Sequence, residues 1–315
     1  MKLFLALLLA LPAFAWGQTY PSKPVRVIVP FAPGGGTDFI ARFVAQRLSA
    51  SLGQQFVVEN RPGAGGSIGA EQGIRAAPDG YTLTVVSNSY TVNPSLYKMR
   101  FDPVGDITAI VQVSQGPYIV TVHPSVPAKS MAELITYAKS RPDALNFASS
   151  GTGSINHLAT ELLALMAGFK LNHVPYKGTG PALSDTIGGQ TNATLGSTAS
   201  TLPHVRSGRL RALAVTTSQR LAAEPSLPTV AEAGVPGYET VLWHGFIGPK
   251  GLPPAVVETI SGEVNKLLQL KEAADQLQAD GVSPAGGPPD QFLAVIKKEI
   301  EVWRKVVRDA NVKID

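Results

Sequence analysis

The stretch Val25-Arg-Val-Ile-Val-Pro-Phe-Ala-Pro-Gly-Gly-Gly-Thr-Asp38 runs from an apolar strand through a glycine turn. It leads into Phe39-Ile-Ala-Arg-Phe-Val-Ala-Gln-Arg-Leu48, where apolar residues recur at roughly helical spacing. Strand, glycine turn, polar cap and helix make the start of a βα unit. The N-terminus of such a helix carries N–H groups without intrahelical partners and a partial positive charge, so it favours anions. A second turn of the same design, Ser149-Ser-Gly-Thr-Gly-Ser154, follows Leu145-Asn-Phe-Ala148. Two such turns, one per lobe, predict a clamp around a small negatively charged ligand.

Between and beyond the turns, strands and helices alternate. The pattern predicts further strands at 55–59, 81–86, 107–113, 118–122, 171–175, 193–195 and 210–215, and helices at 69–77, 130–141, 155–167 and 180–188. Ser130 and Glu133 have capping-box spacing. Such alternation implies parallel sheets with βαβ crossovers, an α/β fold. Helices dominate after Pro254, and the stretch from Leu221 to Pro254 is rich in Pro, Gly and polar residues. Gly116-Pro117 and Gly234-Val-Pro-Gly-Tyr238 are candidate crossings between domains. The expected division is 18–117 with 238–315 as domain 1, and 118–237 as domain 2. A single large α/β domain is the alternative.

The chain has 315 residues, 44% hydrophobic and 16% charged, which suits a folded protein with a substantial core. Its net charge of +4 is spread rather than striped, so nucleic acid is not an expected partner. Met1-Lys-Leu-Phe-Leu-Ala-Leu-Leu-Leu-Ala10, followed by Pro12 and Ala13-Phe-Ala15, reads as a secretory signal peptide ending near Ala15 or Gly17. The apolar run is shorter than the ~20 residues that a membrane span needs. The absence of cysteine suits an oxidising compartment and excludes thiolate chemistry and Cys-ligated metals.

A set of short motifs in fixed order carries a family resemblance. They are the Pro24–Asp38 opening, Glu59-Asn-Arg-Pro-Gly-Ala-Gly-Gly66, Ala77-Pro-Asp-Gly-Tyr81, Asn93-Pro-Ser-Leu-Tyr97 and Ser150-Gly-Thr-Gly-Ser154. Val174-Pro-Tyr-Lys-Gly178, Leu227-Pro-Thr-Val-Ala-Glu232 and Trp243 with Gly245 and Pro249 follow. Together they resemble the solute receptors of tripartite tricarboxylate transporters, the Bug family. The resemblance implies a type II periplasmic-binding-protein fold: two α/β lobes, joined by two crossing segments, closing on a small carboxylated solute. It also implies export to the periplasm, a membrane permease as partner, no enzymatic activity and a monomer. Where the family commonly has Asp in a Gly-Gly-Gln-apolar-Asp stretch, this chain has Asn192. The lost charge argues against an amino-acid ligand and for a neutral or plain carboxylate one.

The candidate ligand contacts are Phe31, Gly35, Gly36, Thr37 and Asp38 from the first turn, with Asp38 read chiefly as a helix cap. Ser87 and Asn88 end a strand whose carboxyl edge should face the cleft. Ser150, Thr152, Gly153 and Ser154 come from the second turn, and Lys177, Gly178, Asn192 and Trp243 complete the set. Core packing is the competing reading for Phe31 and Trp243, solvation for Lys177, and packing for His157. Gly65-Gly-Ser67-Ile-Gly69 matches a hydrolase elbow, but Pro62-Gly-Ala-Gly65 separates its serine from the strand. A secreted hydrolase using Ser67 and an exported sensor or interaction protein are the alternatives. Neither glycine turn completes a nucleotide-binding fingerprint, and no His/Asp/Glu group has metal-ligand spacing, so no cofactor or metal is expected.

Overall fold

The computed structural model describes residues 20–142 and 144–309, so the expected signal peptide lies outside the described residues. The chain runs β1 (Val25–Val29), α1 (Gly36–Leu52), β2 (Phe56–Asn60), α2 (Ser67–Ile74), β3 (Thr82–Ser87), α3 (Ser89–Leu96) and β4 (Ile107–Gly116). It continues β5 (Tyr118–Val122), α4 (Met131–Ser140), β6 (Asn146–Ser149), α5 (Ile155–Ala167), β7 (Asn172–Pro175), α6 (Thr179–Ile187), β8 (Ala193–Ser197), α7 (Thr198–Arg206) and β9 (Arg211–Val215). It ends β10 (Leu242–Pro249), α8 (Pro254–Gln269), α9 (Lys271–Ala279), β11 (Ser283–Pro284) and α10 (Pro289–Asp309).

These strands form two sheets, β11-β4-β10-β3-β1-β2 and β7-β6-β8-β5-β9. Both sheets are built alike. Three parallel strands lie in the order second, first, third (β2-β1-β3 and β7-β6-β8). An antiparallel strand follows, β10 in one lobe and β5 in the other. Each of these strands arrives from the opposite lobe, so the lobes are woven together by the chain itself. The first crossing is Pro117, the single residue between β4 and β5. Thr216 ties the crossings to each other. Its N–H donates to Tyr118 O at 3.0 Å, its hydroxyl donates to Thr240 O at 2.8 Å, and its carbonyl accepts from Thr240 N–H at 2.8 Å. Tyr238, expected to open the returning part of domain 1, is instead buried in the second lobe, where its hydroxyl donates to Ala159 O at 2.9 Å. The chain therefore returns after Thr240.

Helix α1 forms because Ile40, Ala41, Val44, Ala45 and Leu48 make one apolar stripe against the sheet, and Gly53, at φ 70°, ends it in the left-handed conformation. The stripe packs with Val27, Val111, Phe246, Ile260 and Val264 in the first lobe's core. Phe147, Leu158, Leu163, Leu195, Met131 and Leu134 fill the second. Trp303 and Val307 of α10 reach this second core, so the C-terminal helix braces both lobes.

Strand β10 corrects the sequence expectation, which left 221–254 without a strand. Its eight residues are all buried, at the centre of the first sheet. Gly245 and Gly248 disguise it, because glycine is depleted in strands. Gly245 is required by packing: a Cβ there would overlap the Phe292 ring and stand 2.8 Å from Val111 O. Gly245→Ala is expected to destabilise the protein by about 1–3 kcal/mol through overpacking, measurable as a lower urea midpoint.

Candidate functional site

The carboxyl ends of β1, β3, β6 and β8 lead into helices, and parallel α/β sheets place ligands at such ends. The two lobes face each other with these ends inward, enclosing a cavity with room for about 20 Å³, little more than one water needs. Five helices start at its wall: α1 with Gly36, Thr37 and Asp38, α3 with Ser89, α5 with Ile155, α6 with Thr179, and α7 at Ser197. In none of the five does the N-cap residue's own side chain bond the first turn, whereas in α4, away from the cavity, Ser130 Oγ accepts from Glu133 N–H. Ile155 N–H and Ser89 N–H are taken instead by Ser89 Oγ and Ser87 Oγ. Helix starts without caps keep outward N–H groups and aligned positive dipole ends for other partners.

Among the described residues, no lysine or arginine lines the cavity. Its one carboxylate, Asp38, is already engaged. Oδ2 accepts from Gly34 N–H at 3.1 Å and from Arg42 Nε at 3.0 Å, and Oδ1 accepts from Asn60 Nδ2 at 2.9 Å. Burial alone would raise its pKa. The hydrogen bonds from Arg42, Asn60 and Gly34 outweigh that and hold it below the ordinary carboxylate value. Asp38 thus orders the glycine turn and adds no free charge to the cavity. His244, 2% exposed, also lines it, and burial pushes the imidazole down to about 3, keeping it neutral.

Bonds between the lobes hold this arrangement. Ala32 N–H donates to Lys177 O at 2.9 Å, Tyr97 Oη to Thr152 O at 2.7 Å, Asn93 Nδ2 to Gly153 O at 3.1 Å, and Ile155 N–H to Ser89 Oγ at 3.1 Å. Glycines allow the approach: a Cβ at Gly36 would lie 2.6 Å from Ser197 Oγ, and one at Gly65 2.7 Å from Thr152 O.

The structure brings Phe31, Gly35, Gly36, Thr37, Asp38, Ser87 and Ser150 together around the cavity. Other expected residues stand elsewhere. The second turn spends its donors on itself. Gly151 N–H goes to Ser149 Oγ, Gly153 N–H to His157 Nδ1, and Ser154 Oγ to Gly151 O and Asn156 Oδ1. Ser150 is the one residue of that turn on the cavity wall. Thr152 and Gly153 accept the bonds from Tyr97 and Asn93, so they latch the lobes. Asn88 sits behind the wall with Nδ2 on Val241 O at 2.6 Å. Lys177 is exposed, and only its carbonyl serves the interface. Gly178 packs against Ala32.

Asn192 and Trp243 are corrections. Asn192 precedes β8 at the end opposite the cavity, where its Oδ1 accepts from Asn146 N–H at 2.8 Å. Its missing charge therefore has no bearing on the ligand. Trp243 points into the core, edge-on to Phe292 with centroids 5.4 Å apart. Side chains alternate along a strand, so its neighbours Leu242 and His244 take the cavity side. Ser89, Tyr118, Ile155, Thr179, Ser197, Leu242 and His244 are lining residues the sequence reading missed. A helix start after a strand was the available signal for Ser89, Thr179 and Ser197.

Comparisons with known proteins agree with this architecture. The chain is 39% identical over 300 residues to protein BugT of Bordetella pertussis, covering 94% of this chain and 92% of the relative. It resembles a solved R. palustris protein with adipate at 37% identity and TM-score 0.91, covering 93% and 99% of the two chains. A Rhodopseudomonas palustris protein with bound malate matches at 31% identity and TM-score 0.87, covering 91% and 100%. The family model described as tripartite tricarboxylate transporter family receptor matches residues 40–312. With two lobes of the periplasmic-binding-protein type around a cleft of helix N-termini, this chain belongs to the tripartite tricarboxylate transporter receptor family.

Proposed function

We propose that this receptor works in the periplasm and binds a small organic acid without an amine between its lobes. It then presents that acid to the membrane permease subunits of its transporter, as a monomer and without catalysis. The observation that carries this reading is the convergence of five helix N-termini, none bonded by its own N-cap side chain, on a cavity that no lysine or arginine lines among the described residues. Neutral donors in a closed, dry cleft make strong charge-assisted hydrogen bonds to a carboxylate. The adipate and malate found in related structures support the ligand class. The engaged Asp38 leaves no free carboxylate to pair with an ammonium group.

The test is thermal unfolding with a panel of mono- and dicarboxylates, including adipate and malate. A cognate acid at a hundred times its Kd is expected to stabilise the fold by about 2.7 kcal/mol. A flat response to every acid, against a shift with an amine or neutral sugar, would sink the reading. Ser67 opens α2 and does not line the cavity. Ester-hydrolysis assays are accordingly expected to show no activity in wild type or in Ser67→Ala; activity lost with the serine would overturn the non-enzymatic assignment.

A further inference from the structure

His244 is the one polar ring on the cavity wall besides the Tyr118 phenol, and it is anchored from behind. It pairs across β10 and β4 with Ser114, and the Nδ1···Oγ separation is 3.0 Å. Ser114 is fully buried, so this contact fixes the ring plane. Nε2 is also buried and has no hydrogen-bond partner among the described residues. Its ring carbon Cε1 lies 3.6 Å from where a Cβ on Gly36 would stand, which puts this edge of the imidazole beside the N-terminus of α1. A buried polar atom left without a partner is costly, and native proteins rarely keep one without a use.

We propose that His244 is a specificity-determining ligand contact: its Nε2–H donates to the acid group held at the N-terminus of α1. This deepens the reading of the cleft as an acid site and rests on it. A neutral imidazole carries one ring proton. With the Ser114 hydroxyl donating to Nδ1, that proton sits on Nε2, and the ring presents a donor to the cleft. Backbone N–H groups of α1 hold one side of the carboxylate. The imidazole supplies a directed bond from β10, in the same lobe. The class of ligand selected is an acid that places a carboxylate oxygen between the two. An ester or amide at that end puts an alkyl or N–H group against the donor and is rejected.

Two polar substitutions separate the roles of the two ring nitrogens. In H244Q the amide nitrogen reaches the place of Nε2, whereas in H244N it reaches only that of Nδ1, toward Ser114. Both variants are titrated with adipate and malate by calorimetry, with unliganded melting as a control on folding. H244N is expected to lose about tenfold or more in affinity, the scale of one hydrogen bond to a charged group, with H244Q within about threefold of wild type. Equal affinity of wild type and H244N, or equal losses in both variants, would overturn the proposal while leaving the acid-site reading standing. Wild type that binds neither these acids nor any other carboxylate would bring down both.

Discussion

Gly180→Ala is expected to hold the lobes apart and weaken ligand binding by at least about tenfold, a change of about 1.4 kcal/mol, without destabilising either lobe. Gly180 lies in the first turn of α6 with a φ that any residue adopts, so its backbone does not require glycine. Alanine there would favour the helix by up to about 1 kcal/mol. The constraint comes from across the interface. A Cβ would overlap the carbonyl oxygen of Pro33, and would stand 3.1 Å from its carbonyl carbon and 3.3 Å from that of Gly34. These are backbone atoms of the opposing glycine turn and cannot rotate away as a side chain would. The lobes must part, and the hydrogen bond from Ala32 N–H to Lys177 O parts with them. Small-angle scattering with saturating ligand should show wild type compacting and the variant staying extended. Gly262→Ala, where a Cβ meets nothing within 4 Å, is the matched control. Wild-type affinity and compaction in Gly180→Ala would show that closure does not need this contact.

Acid is expected to destabilise the protein steeply below pH 6.5. Three histidines are held neutral. His244 is pushed down to about 3 by burial, His157 to about 3 by burial and by its neighbour His173, and His173 to about 4 by burial. The last two stack at 3.9 Å between ring centroids, beside the second glycine turn. In the unfolded chain each takes a proton below its ordinary value of about 6.5, whereas the fold refuses it until about 3–4. The unfolded state therefore binds more protons throughout that window, and stability falls as pH falls. At pH 5 the fully buried His244 alone accounts for about 2 kcal/mol relative to neutral pH. The partly screened pair adds less per ring. Asp38 acts in the same direction at lower pH, because its stabilising ionisation is lost as pH drops through its depressed value. Urea unfolding between pH 7 and 4 measures the slope, which H244Q should reduce by close to one proton. A stability profile flat to pH 4.5 would contradict the assignment of these rings as neutral.

Much of the cleft was legible in the residues. Val25–Asp38 announced a strand, a tight turn and an anion-favouring helix start, and all of these are local: φ freedom at glycine, apolar spacing over a few turns, and the N–H groups that any helix leaves open. The alternation of elements likewise implied parallel sheets, which holds for β2-β1-β3 and β7-β6-β8 but not for the antiparallel strands beside them. The second turn shows where local reading stops. Ser149–Ser154 has the same composition as an anion cradle, but Asn156 and His157, one turn further on, consume its donors. Whether a serine faces a ligand or a neighbouring amide depends on the rotamer that packing permits.

The family, the α/β class and the first half of the site thus follow from short-range patterns in the chain, because backbone geometry and periodicity act over a few residues. The rest rests on pairings between distant segments. Leu242–Pro249 became the central strand only between β3 and β4, and its pleat then turned Trp243 into the core and His244 toward the cavity. Asn192 was carried to the far end of β8 by the direction of that strand. The closeness of Gly36 to Ser197 and of Gly180 to Pro33 exists only once two lobes meet, so no local pattern encodes it.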